Sequence, residues 1–369
     1  MRMISVKRLE SGMQLAKPIR GADGRMLLRE HVLLTDRYIL SLQKLGLRFV
    51  FIADEATTDI QLQESISPEV SHEVLSRIQR IYTQLGDSSH SQQLLQSGRV
   101  GREFTELFKM LFQSLLDDDT FILNLSSIYS NDAYLYTHSM NVGLSACILG
   151  MAHGYNDKKI VQFGVGAMLH DIGKLQINRA ILNKPGALTQ EERAEVERHC
   201  ELGYQFLLQQ AEIATVSAHC ALQHHEKFDG TGYPRQLHGL DIHEFGRILA
   251  VPDVYDAMTS NRVYRKALLP HEGIEYLYSQ SGVHFDQQFV RLFAKHVNIY
   301  PNGLPVDLSN GAKGVVARMN KFNLQRPVIL VLEEAGRTVT PYELDLLKEL
   351  NVTITGCELV NDDRIVTTL

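Results

Sequence analysis

A chain of 369 residues with 44% hydrophobic and 22% charged positions has the composition of an ordinary folded protein, long enough for one large domain with additions or for two to three domains. Its net charge of −6 argues against a broad grip on polymeric nucleic acid, which needs a basic face, although a local group of cations could still hold a small anion. The first residues lack the apolar core of a signal sequence, no stretch approaches a membrane span, and the four cysteines form no CxxC pair. The expectation is a cytoplasmic protein with reduced, mostly buried thiols and no membrane insertion.

Residues 1–56 alternate short strand-like runs with turns, and a helix is predicted from Asp36 to Leu45, with Thr35 as its cap and Gly46 as its stop. This predicts a small accessory α+β unit. Residues 57–101 read as a helix and a linker: Val70, Val74, Ile78 and Ile81 share one face over 67–85, and the stretch from Gly86 to Gly101 is rich in Ser, Gln and Gly. From 102 to 297 apolar residues recur at three- and four-residue spacing, which predicts a helical domain. Phe104, Leu107, Phe108, Leu111, Phe112 and Leu115 stripe its first helix, and the acidic run from Asp117 to Asp119 reads as a solvated end. In residues 298–369 turn signals at Asn302–Gly303, Asn310–Gly311 and Gly336 bracket apolar runs at 314–318 and 327–332. A β-rich extension is predicted there, with a short helix near 341–349.

Residue types that ligate metals gather in the helical segment. His138 shares a helix face with Val142, Ser145 and Leu149, where a satisfied core histidine is the simpler reading. His170 and Asp171 follow a helix over Lys159–Leu169 whose Gly164 and Gly166 permit close packing, and Gly173 suits a helix end. An imidazole beside a carboxylate suits a divalent cation. His199 is placed in the last turn of a helix opened by the capping box Thr189 and Glu192, where it could equally serve the helix dipole. His224 and His225 end a helix over Ile213–Leu222; adjacent helical side chains diverge by roughly 100°, so the two can address neighbouring metals. In the next loop Gly230 and Gly232 allow positive φ or close approach of a ligand, and Pro234 biases Tyr233 towards an extended conformation. Asp253 and Asp256 stand one turn apart, and Arg262, Arg265 and Lys266 supply cations suited to phosphate. Each residue alone has a bland structural explanation. Successive helices that each deliver a ligand type form the informative pattern.

His170-Asp171-Ile172-Gly173-Lys174, His224-His225-Glu226, Asp229-Gly230-Thr231-Gly232-Tyr233-Pro234 and Asp253-Val254-Tyr255-Asp256-Ala257-Met258-Thr259 occur in that order within residues 120–280. Together they resemble the HD-GYP subgroup of the HD phosphohydrolase superfamily, and the flanking segments resemble small domains attached to some members. The resemblance implies a mainly α protein, an all-helical HD-type core over 102–297 flanked by the N-terminal α+β unit and the C-terminal β-rich extension. It implies a metal-dependent phosphodiesterase that hydrolyses cyclic di-GMP to linear pGpG, or on to GMP. Carried over by position, the metal ligands are His138, His170, Asp171, His199, His224, His225 and Asp253, with Asp171 shared between metals. Lys174 matches the lysine near the scissile phosphate; Gly232, Tyr233 and Pro234, with Arg262 and Arg265, match substrate-binding positions. Tyr134 stands where some members carry a glutamate that helps to hold a third metal, so two divalent ions are expected, iron or manganese ahead of zinc or nickel. Pro252 replaces a common alanine and puts a kink before Asp253, while Asn178 and Val263 replace common prolines.

Two cations roughly 3.5 to 4 Å apart can share a water and hold it as a bridging hydroxide in line with a phosphodiester. Lys174 would then stabilise phosphoryl charge or protonate the leaving 3′ oxygen. Two other readings stay open: a non-catalytic cyclic dinucleotide receptor, and an HD hydrolase acting on another nucleotide. A homodimer or a regulatory partner bound through the flanking domains is compatible with all of them.

Overall fold

Caps and apolar stripes start and orient most elements of this computed structural model, which describes residues 1–21, 26–45, 47, 49–61, 65–86, 98–116, 134–182, 184, 186–260, 268 and 270–357. The N-terminal unit contains β1 (Arg2–Ser5), β2 (Ile19–Arg20), β3 (Met26–Leu28), α1 (Asp36–Lys44) and β4 (Phe49–Ile52). The Thr35 side chain accepts from the Tyr38 amide and starts α1, as its place in the sequence requires. β1 pairs antiparallel with β4 and β2 with β3. Leu15, Ile19, Leu34, Leu42 and Val50 fill a small core between them. Gly46 lies outside the described residues.

α2 (Pro68–Gly86) buries Val74, Ile78 and Ile81, with Val70 half-buried beside them. It packs on α3 (Arg99–Leu116) and α4 (Tyr134–Ala152), and the Tyr82 hydroxyl lies 3.4 Å from Ser139 Oγ. All six predicted stripe residues of α3 are buried. The predicted linker is too long at its far end, because α3 begins at Arg99 and Gly101 is buried within it. A Cβ at Gly101 would stand 2.9 Å from Ile213 Cγ1. The glycine that read as loop composition is a helix contact. Residues 87–97 and the Asp117–Asp119 run lie outside the described residues.

α5 (Asp157–Met168) starts at Asn156, whose side chain accepts from the Lys159 amide. Its two glycines are clamped as the sequence suggested. A Cβ on Gly164 would fall 1.7 Å from the buried Phe108 ring, and one on Gly166 would fall 2.5 Å from the Ser217 carbonyl oxygen. Helices on two sides therefore fix the end of α5, from which His170 and Asp171 emerge. After the short α6 (Arg179–Leu182), α7 (Gln190–Glu197) opens with the predicted capping box. The helix does not continue to His199, however: it ends at Glu197, and His199 opens a separate α8 (His199–Leu208). Gly173, expected at a helix end, lies instead in the 3₁₀ turn Ile172–Gln176, where a Cβ would meet the His199 carbonyl oxygen at 2.0 Å. Close backbone passage at this point, unmarked by proline or cap, accompanies the break between α7 and α8.

α9 (Thr215–Gln223), α10 (Glu244–Thr259), α11 (Pro270–Ser279) and α12 (Gln287–His296) complete the helical core. α5 packs on α3, α4 and α9, and α10 lies against α4 and α9. The C-terminal sheet is antiparallel, in the order β8-β7-β6-β5-β9, from β5 (Pro305–Leu308), β6 (Lys313–Arg318), β7 (Val328–Glu334), β8 (Arg337–Asp345) and β9 (Ile354–Gly356). Ala335 and Gly336 take φ of 48° and 76°, so the β7–β8 connection is a tight hairpin turn. The helix predicted near 341–349 is a strand as far as Asp345. Its Glu and Leu spacing looked helical, but Tyr342, Glu343 and Leu344 pair with Val331, Leu330 and Ile329. Because β8 is an edge strand, Pro341 is tolerated there. Among the described residues no helix is long and apolar enough to cross a membrane.

Gly164→Ala should lower stability by about 1–3 kcal/mol, because the Phe108 ring is fully buried and cannot retreat. A fall in the denaturant midpoint at unchanged slope would register it; an unchanged midpoint would show that the clamp on α5 is loose.

Candidate metal centre

Five imidazoles and two carboxylates from five segments converge below the protein surface. α4 carries His138 one turn after its start, the turn after α5 carries His170 and Asp171, and α8 opens with His199. α9 ends on Gln223 with His224 and His225 just beyond, and α10 presents Asp253. His138, His170, Asp171, His199, His224 and Asp253 are all at most 6% exposed, and His225 is half-buried. The helix continues through Pro252, and Asp253 Oδ1 lies 3.1 Å from His138 Nε2 and 3.5 Å from His170 Nε2. The proline does not misdirect it.

The rings are oriented by their outer nitrogens. Nδ1 of His170 donates to the Ala167 carbonyl at 2.7 Å, that of His199 to Val196 at 2.6 Å, and that of His224 to Cys220 at 2.8 Å. A carbonyl can only accept, so each Nδ1 carries the proton and each Nε2 is free to ligate. His138 and His170 bring their Nε2 atoms to 3.3 Å, as His199 and His224 do to 3.4 Å. Two nitrogen lone pairs at such separations repel unless a proton or a metal ion lies between them.

Asp171 joins the two groups. Its Oδ2 faces His170 at 3.5 Å and His138 at 3.9 Å, and its Oδ1 faces His199 at 3.5 Å and His224 at 3.7 Å. Oδ1 is buried and has no hydrogen-bond partner among the described residues. An orphaned anionic oxygen is costly in a protein interior, and a cation beside it removes the cost. Asp171, His199, His224 and His225 each offer one ligand atom within 4.8 Å of the others. So do the sets His138, His170 and Asp171, and His170, His224 and Asp253. The donor set thus fits divalent metals with a taste for nitrogen and oxygen. His224 and His225 both face the Asp171 Oδ1 side, and His224 also reaches towards His170 and Asp253.

The protonation pattern divides the centre in the same way. Burial alone would push His170 down, but Asp171 and Asp253 outweigh it and raise its pKa to about 10; His138 is also raised, with burial overcome by Asp253 and Asp256. For Asp171 burial is overcome by Lys174 and His170, and for Asp253 by His138 and His170, so both carboxyls titrate well below the usual range. His199 is lowered to about 4 and His225 well below its ordinary value, in both cases chiefly by burial. One side of the centre calls for positive charge to match its carboxylates. The other holds neutral imidazoles with lone pairs available.

The loop beyond His225 closes over this second side. Tyr233 stacks on His225 with ring centroids 4.7 Å apart and meets His199 edge-on. Gly230 takes φ of +81°, whereas Gly232 is a close-approach glycine whose Cβ would stand 2.2 Å from the Lys227 amide nitrogen. The Tyr233–Pro234 peptide is cis. Lys174, expected to face a substrate, places its ammonium 2.6 Å from Asp171 Oδ2 at the edge of the site. Arg262 and Arg265 lie outside the described residues, as does the side chain of Tyr134.

Residues 123–289 match the HD domain family. Within this match lie all seven convergent ligand-type residues and the Gly-Tyr-Pro loop stacked against them. The match to the HD domain covers just under half of the chain, which is similar over part of its length to several cyclic di-GMP phosphodiesterases. The chain is 37% identical over 235 residues to a cyclic di-GMP phosphodiesterase of Pseudomonas aeruginosa, covering 64% of this chain and 56% of that protein. A cyclic di-GMP phosphodiesterase of Thermotoga maritima is 32% identical over 234 residues, covering 63% and 62%. A 3′3′-cGAMP-specific phosphodiesterase of Vibrio cholerae is 36% identical over 160 residues, covering 43% and 31%. The chain thus spans less than two thirds of the length of each of these relatives.

The site includes supports whose roles could not be read from the sequence. Glu226, 2% exposed, accepts from the Arg235 amide at 2.7 Å and the Leu237 amide at 3.0 Å, tying the far end of the Gly-Tyr-Pro loop to its start. The Gln223 side chain accepts from the His243 amide at 2.6 Å and joins α9 to the start of α10. Asp256 accepts from Asn141 and meets His138. Only spacing hinted at these residues: Glu226 follows the paired histidines, and Asp256 stands one turn after Asp253.

Asp171→Ala should remove an oxygen from both sides at once, bringing bound metal per chain close to zero; retention of the wild-type metal content would sink the shared-ligand assignment. Glu226→Ala leaves two loop amides unsatisfied and should cost about 1–3 kcal/mol in a thermal or denaturant melt. No measurable loss would show that the loop is held by its other contacts.

Proposed function

We propose that this chain is a metal-dependent phosphodiesterase that opens cyclic di-GMP to linear pGpG, with seven ligand residues holding two divalent ions, iron or manganese ahead of zinc or nickel. The observation that carries the reading is the Asp171 carboxylate, which turns one oxygen to each side of a buried imidazole cluster beside the Gly-Tyr-Pro loop. A pair of cations held there would activate water and neutralise charge growing on the phosphate oxygens.

The chain's own groups complete the chemistry. Hydrolysis breaks the bond between phosphorus and a 3′ oxygen, and that oxygen must gain a proton. Lys174 Nζ holds protons at the edge of the site, 29% exposed and next to Asp171, where it can supply one or stabilise phosphoryl charge. Tyr233, held by its stack on His225, forms a wall against which a guanine or ribose can pack. Arg262 and Arg265 offset the remaining charge of a dianionic ligand. The flanking α+β unit and C-terminal sheet are proposed as regulatory additions to a catalytic domain over 102–297.

The relative from Vibrio cholerae makes 3′3′-cGAMP a competing substrate to be tested beside cyclic di-GMP. Protein prepared without oxygen, stripped with a chelator and reloaded with iron(II) or manganese(II), should convert cyclic di-GMP to pGpG only when reloaded. Chromatography of the products decides. Tight binding without turnover in reloaded protein would favour a receptor, and faster cleavage of 3′3′-cGAMP would change the substrate.

A further inference from the structure

His138 differs from the other oriented imidazoles in what stands behind it. The carbonyl partners of His170, His199 and His224 lie three or four residues before them, so each ring moves with its own stretch of chain. His138 Nδ1 instead lies 2.7 Å from Asp256 Oδ2, a carboxylate on another helix and 118 residues away. Asp256 is 2% exposed, and its second oxygen accepts from Asn141 Nδ2 at 2.8 Å. Asn141 is one turn after His138 on α4, just as Asp256 is one turn after Asp253 on α10. Both Asp256 oxygens are therefore directed to α4. α10 grips His138 from two sides, with Asp253 Oδ1 3.1 Å from Nε2 in front and Asp256 behind.

We propose that Asp256 is a positioning residue of the metal centre: it holds His138 with Nε2 turned to Asp171 and Asp253, and with Asn141 it sets the α4–α10 separation. This rests on reading the cluster as a metal centre. A carboxylate behind an imidazole does two things that a carbonyl does not. Its full charge makes the ring a stronger donor, and its place on another helix makes His138 geometry depend on α10. Loss of the charge should therefore act on the side of the centre that His138 serves and spare the side built from His199 and His225.

The test is Asp256→Asn, which keeps the size and one acceptor but removes the charge. Manganese(II) affinity is measured by chelator competition, metal per chain by elemental analysis, and folding by circular dichroism. The expected result is one of two manganese ions weakened about 10–100-fold, the other unchanged and the melt near that of the wild type. In a His138→Ala background the same substitution should have no further effect on the remaining ion. Equal weakening of both ions, a full additive effect in the His138→Ala background, or wild-type affinity at both would each overturn the proposal. If Asp256→Asn does not fold, Asn141→Ala replaces it and should weaken the same ion, more mildly; no weakening there overturns the proposal equally. Wild-type protein that binds no manganese, iron or zinc would refute the metal-centre reading itself, a result distinguishable because it precedes any variant.

Discussion

The burial of two carboxylates among five imidazoles is the constraint on which the rest of this molecule depends. An ionised carboxylate loses several kcal/mol of hydration when it is enclosed, and only close positive charge or ligation repays it. Asp171 and Asp253 are almost fully enclosed. In this structure His138, His170 and Lys174 answer them on one side, while Asp171 Oδ1 faces His199 and His224 on the other without a hydrogen-bond partner among the described residues. Such a centre is stable only if its helices meet at fixed separations. The buried glycines on α5 and in the 3₁₀ turn provide this: Gly164 against Phe108, Gly166 against Ser217 and Gly173 against His199 each allow an approach that a single Cβ would block.

The centre is rigid for a second reason, which lies in the outer nitrogens of the rings. Backbone carbonyls within three or four residues fix His170, His199 and His224, so these ligands are oriented by the local turn that carries them. His138 is oriented from another helix. The Gly-Tyr-Pro loop is likewise fixed from its base, with Glu226 gathering two amides from the loop's far end and Gly232 lying against the Lys227 backbone. Tyr233 thus stacks on His225 because both ends of its loop are anchored. Outside the HD match, α2 reaches the same neighbourhood through Tyr82, whose hydroxyl lies beside Ser139, the residue after His138. The C-terminal sheet meets the N-terminal unit through the Met3 amide and the Gly303 carbonyl, 2.8 Å apart.

Much of the fold was legible because caps and stripes are local signals. Thr35 and Thr189 start helices in the structure with the side-chain bonds their places in the sequence predict, and the apolar stripe of α3 is buried in full. The failures share a cause. Gly101 read as linker, residues 341–349 as helix, and His199 as the end of α7, because in each case a distant partner decides the outcome: Ile213, strand β7, and the 3₁₀ turn at Gly173. Propensity summed over a window carries no term for such partners.

The sequence by itself determined the chemical vocabulary of this protein: ligand-type residues at successive helix ends, a glycine-spaced loop before Tyr233 and Pro234, and the helical or strand character of most segments. These are matters of residue type and spacing along one chain. Only the tertiary structure decided which oxygen of Asp171 faces which histidines, that Asp253 is well aimed despite Pro252, that Lys174 lies on Asp171, and that Asp256 stands behind His138. Each is a contact between helices brought together by packing, and the closeness of that packing was set by glycine contacts whose partners no local pattern names.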